Sequence, residues 1–349
     1  MKTRLTQLLG VDHPIVLAAM AWVTNAEMVA AISGAGALGT LGPNAGATIA
    51  TRDVRETGER LRAQIKRVRV LTDRPFAVNF VVGVVGLDKE FSDRCLEVGI
   101  EERVPVAVVS QGSPHVYTER LKKAGTTVIH VCATVRHATK AQEAGADAVV
   151  ASGTEGGGHS GFDQNTTFCL VPQVADAVHI PVIAGGGVAD GRQLVAALAL
   201  GAEGVYMGTR FIATVECPAH DRYKQALVAC KDGDTIAVRH GTVAQPGTGN
   251  RGFTAERRGS LRLMLDDRLR ELLARHGGAI NYDTLMEASA QEAGGGARSS
   301  SSMVRGDDDG GSYAAGQGAG LIRQILPCRD LVAKFMREAE AARARCSGV

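Results

Sequence analysis

The chain has almost no excess of either charge: 39 Lys and Arg stand against 37 Asp and Glu in 349 residues, a formal balance of +2. Such a surface offers no field to draw in a nucleic acid or an anionic membrane, so the expected partner is a small molecule. No uninterrupted apolar stretch is long enough to cross a bilayer, and Met1 to Gly10 carries Lys2 and Arg4 without the apolar run of a secretory leader. Seven cysteines (Cys95, Cys132, Cys169, Cys217, Cys230, Cys328, Cys346) are an odd number without a CxxC pair, which argues against a disulfide framework or a structural zinc site. They read as reduced thiols of a soluble, unprocessed, cytoplasmic protein. No GxGxxG follows the first apolar run, which passes into Ala18-Ala19-Met20-Ala21, and this disfavours an open doubly wound dinucleotide-binding sheet.

What is present is a repeat of short Val/Ile/Ala/Leu runs alternating with helical-period segments, the pattern of βα units on a parallel sheet. Eight strands are expected: Ile15 to Ala18, Leu38 to Leu41, Phe76 to Phe80, Val106 to Val109, Val128 to Val131, Ala148 to Ala151, Val182 to Ala184 and Gly204 to Met207. Eight parallel strands close into a (β/α)8 TIM barrel. The intervening helices read as Ala26 to Ala35, Val54 to Lys66, Lys89 to Val98, Val116 to Ala124, Val135 to Ala144, Leu170 to Val178 and Gln193 to Leu200. Gly99, Gly125, Gly145 and Gly201 are expected to close helices.

After Phe211 the repeat stops. Asp221 to Cys230, Leu261 to Arg275 and Tyr282 to Ala293 read as helices, giving a barrel of residues 1–213 plus 307–349 and a smaller inserted helical unit of residues 214–306. Gly294 to Asp309, with its serine run, has the composition of a linker. A final helix is expected from Asp330, which suits a cap, to Arg345.

In parallel barrels the working residues lie on loops at the carboxyl ends of the strands. Three such loops are glycine-rich: Ser152 to Gly161, Gly185-Gly186-Gly187 with Val188 to Gly191, and Gly208-Thr209-Arg210-Phe211. Backbone N–H groups approach phosphate oxygens only where no Cβ intrudes, so the last two loops suit a phosphate; tight βα turns alone are the other reading. His159 lies among glycines rather than on an apolar face, as an active-site residue or as a hydrogen-bonding surface histidine. His130, at a strand end, is a weaker pocket candidate, while His137, His179 and His240 read as solvated or structural.

Together, Gly157-Gly158-His159, Pro181 to Gly187, Met207 to Phe211 and the late Gly306-Asp307 with Ala315-Gly316-Gln317 resemble the nitronate monooxygenase (2-nitropropane dioxygenase) family, whose relatives include FMN-containing enoyl-ACP reductases and NADH:quinone reductases. The resemblance spans nearly the whole chain, from His13-Pro14-Ile15 and Met20-Ala21-Trp22-Val23 through Arg74 to Asn79. It implies a barrel with an inserted helical lid and one non-covalent FMN per subunit, and it is compatible with a homodimer. By the same resemblance, Ala18, Ala19 and Met20 lie against the isoalloxazine and Asn79 bonds near it. Gln111 and Ser152 reach the ring or ribityl chain. Gly157, Gly158, Gly186, Gly187, Met207, Gly208 and Thr209 complete the ribityl and phosphate pocket, and His159 matches the active-site histidine.

Two departures stand out. Val243 to Asn250 replaces a more basic, Asn-terminated segment, and Ala18-Ala19 stands where relatives often carry glycines. The resemblance implies first the oxidation of an alkyl nitronate, such as propionate 3-nitronate, with oxygen reoxidising the flavin. A nitronate is already an anion and needs no base. Enoyl-thioester reduction by NAD(P)H is the main alternative, since Asp307 to Ser312 with Ala315-Gly316-Gln317 looks as much like that branch; NADH:quinone reduction is a third. A flavin- or phosphate-binding module without turnover would have no use for His159.

Overall fold

The computed structural model describes residues 1–83, 86–239, 259–292, 302–305 and 313–347. Its strands are β1 (Ile15–Leu17), β2 (Gly39–Leu41), β3 (Phe76–Val81), β4 (Val106–Ser110), β5 (Thr127–Cys132), β6 (Ala148–Ser152), β7 (Gly158–Ser160), β8 (Val182–Gly185), β9 (Gly204–Met207), β10 (Thr235–Arg239) and β11 (Ser260–Met264). Eight of them form one parallel sheet in the order β1-β9-β8-β6-β5-β4-β3-β2. The first and last are joined through Leu38, whose carbonyl accepts from Leu17 N at 2.8 Å and whose N–H donates to Ile15 O at 2.9 Å. The sheet is therefore a barrel, and each expected strand falls within one residue of an observed one.

Alternation along the strands divides the apolar residues into two layers. Val16, Leu38, Ala77, Val106, Val108, Ile129, Ala148, Val150 and Ile183 fill the barrel, and Leu5 and Leu9 of the helix Arg4–Leu9 plug its base. The other face of each strand packs beneath the surrounding helices in a larger core. Burial of each such aliphatic side chain contributes roughly 1.5–3 kcal/mol.

Several expectations need correction. The helix expected over Leu261 to Arg275 is a strand, β11, followed by the helix Asp267–Arg275, which Asp266 caps by accepting from Leu269 N at 2.8 Å. β11 pairs antiparallel with β10 on one side and β7 on the other, so the region after Phe211 is not purely helical. Gly99 does not close a helix but lies inside Gly86–Glu101, where a Cβ would come within 2.3 Å of the Phe80 ring. The segment Val116 to Ala124 divides at Tyr117 into a 3-10 turn and the helix Thr118–Lys123. The last helix, Cys328–Cys346, begins at Pro327 rather than Asp330; the Glu216 carboxylate accepts from Cys328 N at 2.9 Å in place of a local cap. His240, Val243 to Asn250 and Asp307 to Ser312 lie outside the described residues, as does all of Gly294 to Asp309 except the helical turn Ser302–Arg305.

His130 is also not where the sequence put it. It shares its face of β5 with Val128 and Cys132, which pack in the outer core, while Ile129 points into the barrel. It is buried, and its Nδ1 has no hydrogen-bond partner among the described residues. Burial, assisted by His137, pushes its pKa down to about 4. Between pH 6.5 and 4 the unfolded chain thus binds a proton that the native chain refuses, and stability falls as the pH is lowered through that window. Denaturant titrations of wild type and His130→Leu at several pH values should differ in acid slope there, by on the order of 3 kcal/mol across the window. Parallel curves would show that His130 is protonated at no cost in the native state.

Candidate active site

The carboxyl ends of β1 and β9 are stitched together. Ala18 N donates to Met207 O at 2.8 Å, and Ala19 N donates to the Tyr206 hydroxyl at 2.7 Å. Beside this stitch a Cβ on Gly208 would lie 3.3 Å from both Ala18 Cβ and Met20 Sδ, so Ala18, Met20, Met207 and Gly208 form one contiguous patch. Asn79 is buried on β3, its side-chain amide donating to Val108 O at 2.8 Å and Ser110 Oγ at 3.1 Å. Both amide protons are thereby used, and Oδ1 remains as acceptor. Gln111 follows β4 on the rim, exposed, with φ +63; no contact brings it to the other candidates. Ser152 ends β6, half-buried, and lines a small hollow with Ala133, Thr154, Gly161, Gln164 and Asn165.

The loops after β6, β8 and β9 converge on the carboxy-terminal segment. Gly153 N donates to Gly185 O at 2.8 Å, and the Glu155 carboxylate accepts from Thr167 N at 2.8 and 2.9 Å, capping the helix Thr167–Ala177. Gly186 and Gly187 have φ of +105 and +74, and a Cβ on Gly186 would lie 2.8 Å from Gly153 O, so neither the conformation nor the space admits a side chain. Gly316 N donates to Thr209 Oγ1 at 3.0 Å, while Gln317 N donates to Glu155 O at 2.9 Å. A Cβ on Gly157 would lie 2.6 Å from Gly316 N. The result is a cradle of exposed backbone. Gly208 opens the turn Thr209–Ile212 with no side-chain cap on its first N–H groups, and this arrangement suits a phosphate. Thr209 Oγ1, having accepted from Gly316, keeps its proton to donate.

His159 is not in a loop. Gly158–Ser160 is strand β7, with His159 opposite Leu261 of β11. Its ring centroid lies 6.4 Å from that of Tyr282, tilted by 54°. One face of the residue reaches solvent, yet the protein packed around the ring lowers the imidazole pKa by desolvation. Desolvation thus favours the neutral ring, which can accept or relay a proton. Sequence reasoning missed four neighbours of this site: Tyr206, Glu155, Arg262, which donates from Nε to Thr154 O at 2.9 Å, and Tyr282. Only Tyr206 carried a usable signal, its even spacing from Gly204 on an inward-facing strand position.

Comparison with known proteins places this geometry. A Mycobacterium tuberculosis protein named (3aS,4S,5R,7aS)-5-hydroxy-7a-methyl-1-oxo-octahydro-1H-indene-4-carboxyl-CoA dehydrogenase is 35% identical, with 97% of this chain and 96% of that protein aligned. The structure of FabK from Thermotoga maritima superposes with a TM-score of 0.81 at 36% identity, covering 100% of this chain and 99% of that one. Nitroalkane oxidase from Streptomyces ansochromogenes superposes with a TM-score of 0.75 at 29% identity, covering 99% and 100%. The sequence profile described as nitronate monooxygenase matches residues 2–338. The chain belongs to the nitronate monooxygenase family and is an oxidoreductase.

Proposed function

We propose that the chain is an FMN-dependent oxidoreductase whose substrate is an acyl thioester of the coenzyme A or acyl-carrier-protein class, with NAD(P)H as the exchangeable electron partner. The observation that carries this reading is the placement of His159 on β7, opposite Leu261 and beside Tyr282, where desolvation favours the neutral ring. A desolvated, uncharged imidazole exchanges a proton with a carbon acid such as the α-carbon of a thioester, and supplies no charge to hold a preformed anion. The near full-length likeness to a carboxyl-CoA dehydrogenase supports the same class. Oxidation of a nitronate by oxygen is the second reading, favoured by the likeness to nitroalkane oxidase and by the description of the family.

Bound FMN would supply the two-electron chemistry. The residues present fit it: Gly186, Gly187, Gly208 and Thr209 would hold the phosphate by backbone N–H groups and one hydroxyl. Gly157, Gly158 and Ser152 would line the ribityl chain, and Ala18, Ala19, Met20, Met207 and Asn79 would meet the ring, with Gln111 at its rim. His159 would face the substrate from the far side. The separate apolar cluster of Val238, Leu263, Leu269, Leu272 and Leu285 supports a division into a barrel of residues 1–213 and 307–349 and a substrate-facing unit of residues 214–306, although Cys217, Tyr223, Leu227 and Met264 pack with the barrel's outer core.

Purified protein should release one FMN per chain on acid treatment. Gly186→Val should weaken FMN binding at least 10-fold in a fluorescence titration, because both the positive φ and the Gly153 carbonyl oppose a side chain; unchanged affinity would move the phosphate elsewhere. His159→Asn should keep its flavin and lose about 10²- to 10⁴-fold in turnover. In the oxidative direction, with a saturated acyl-CoA reducing the flavin, the acid limb of kcat/KM should fall below pH 6.5, the ordinary histidine value, since only the neutral ring accepts the α-proton. For the substrate class, NADH and propionate 3-nitronate are each added anaerobically to the yellow enzyme. Bleaching by NADH and recolouring by crotonyl-CoA are expected. Bleaching by the nitronate alone, with recolouring by oxygen, would establish the second reading instead.

A further inference from the structure

Tyr206 belongs to no motif and has no part in the mechanism above. It lies on β9 with Val16 of β1 and Gly185 of β8 as its register partners. Its ring packs with the apolar cluster inside the barrel. A Cβ on Gly185 would lie 3.5 Å from Tyr206 Cβ and Cδ1, so the ring passes over the position that has no side chain. The phenol reaches the carboxyl end of the barrel, and there its oxygen accepts from Ala19 N at 2.7 Å.

This bond changes what β1 does. Ala18 N still follows the strand ladder and donates to Met207 O. By the alternation of a parallel ladder Ala19 N would face β2, as Leu17 N does when it donates to Leu38 O. It turns instead to the Tyr206 hydroxyl, which takes Ala19 out of the β1–β2 ladder. The chain can then leave the sheet and lay Met20 against Gly208. Burial raises the phenol above its usual pKa of 10, so it stays protonated across the working range. The Ala19 N–H uses one of its lone pairs, and its own proton has no acceptor among the described residues.

We propose that Tyr206 is a positioning residue: its hydroxyl clamps Ala19 and so fixes the Ala18–Met20 segment in the shape that meets the flavin ring. The inference rests on the FMN reading above. Tyr206→Phe removes only the acceptor and leaves the ring to fill the barrel.

The test has two parts. In apo wild-type protein the Ala19 amide should be protected from hydrogen exchange, and Tyr206→Phe should speed its exchange at least 10-fold while leaving Ala18, held by Met207 O, within about 2-fold. With FMN added, the variant should bind about 10-fold more weakly and show a shifted visible absorption and circular dichroism spectrum of the bound flavin. An unprotected Ala19 in the wild type overturns the clamp without any variant being needed. Faster exchange in the variant with unchanged FMN affinity and spectrum shows a clamp that positions nothing, and also overturns the proposal. A wild-type chain that takes up no FMN overturns the cofactor reading, and with it this inference, while the exchange result still stands on its own.

Discussion

A backbone amide pressed between loops, Gly316 N–H on Thr209 Oγ1, is the contact on which the rest of the site depends. The loops after β6, β8 and β9 are separate in sequence, and strand pairing alone leaves their tips independent. The carboxy-terminal segment joins them: Gly316 sits on Gly157 and Thr209, Gln317 N bonds Glu155 O, and Gly318 approaches Gly187 so closely that a Cβ would lie 2.5 Å from its carbonyl oxygen. Each approach is backbone against backbone. That requirement accounts for glycine on both sides of the contact better than turn geometry does. The same segment pairs through Ala314 with Leu263 of β11, and Met264 N donates to Tyr313 O at 2.7 Å. The glycine cradle and the sheet that carries His159 are thus held by one stretch of chain.

The electrostatics of the cradle follow from where its acid is committed. A carboxylate beside the proposed phosphate site would repel its ligand, yet Glu155 stands so near that a Cβ on Gly187 would lie 3.1 Å from its Cβ. Its oxygens face the N-terminus of the helix Thr167–Ala177, where they accept from Thr167 N and are stabilised by the helix dipole. Arg262, buried on β11, supplies the compensating charge while bonding the adjacent Thr154 carbonyl. The acid therefore orders the loop without spending its charge on the space in front of Gly186 and Gly187.

The barrel was legible because its signals are local. A buried parallel strand is a short apolar run between a glycine-closed helix and a polar loop, and each such unit can be read without knowing its neighbours. What failed needed partners far away. Ser260 to Met264 becomes a strand only when β10 and β7 lie on either side of it, and Leu261-Arg262-Leu263-Met264 fits a helix equally well until they do. Asp330 has the chemistry of a cap, but Glu216, 112 residues before Cys328, reaches the helix start first. His130 was misplaced by one step of strand parity, which sequence does not fix at a strand end. In the site, the glycines could be read as places where backbone approaches something. That the something includes Gly316 is a tertiary fact.

The placement of His159 bears on how one family supports several chemistries. β7 is a three-residue strand inserted between β6 and β8, and among the described residues it pairs with β11 alone, a hundred residues further on. The barrel supplies the surfaces assigned to the cofactor, and these are fixed by parallel pairing and by the Gly316 contact. The orientation of His159, by contrast, is set by the inserted region: β11 aligns its backbone through Leu261, and Tyr282 at the start of the helix Tyr282–Glu292 stands beside its ring. Ser160 and Ser260 share a hydrogen bond at 2.7 Å that locks this register. A change in the inserted region therefore re-aims His159 and reshapes the space in front of it without disturbing a single barrel strand. Divergence in substrate, whether thioester or nitronate, is on this account expected to concentrate there rather than in the glycine loops.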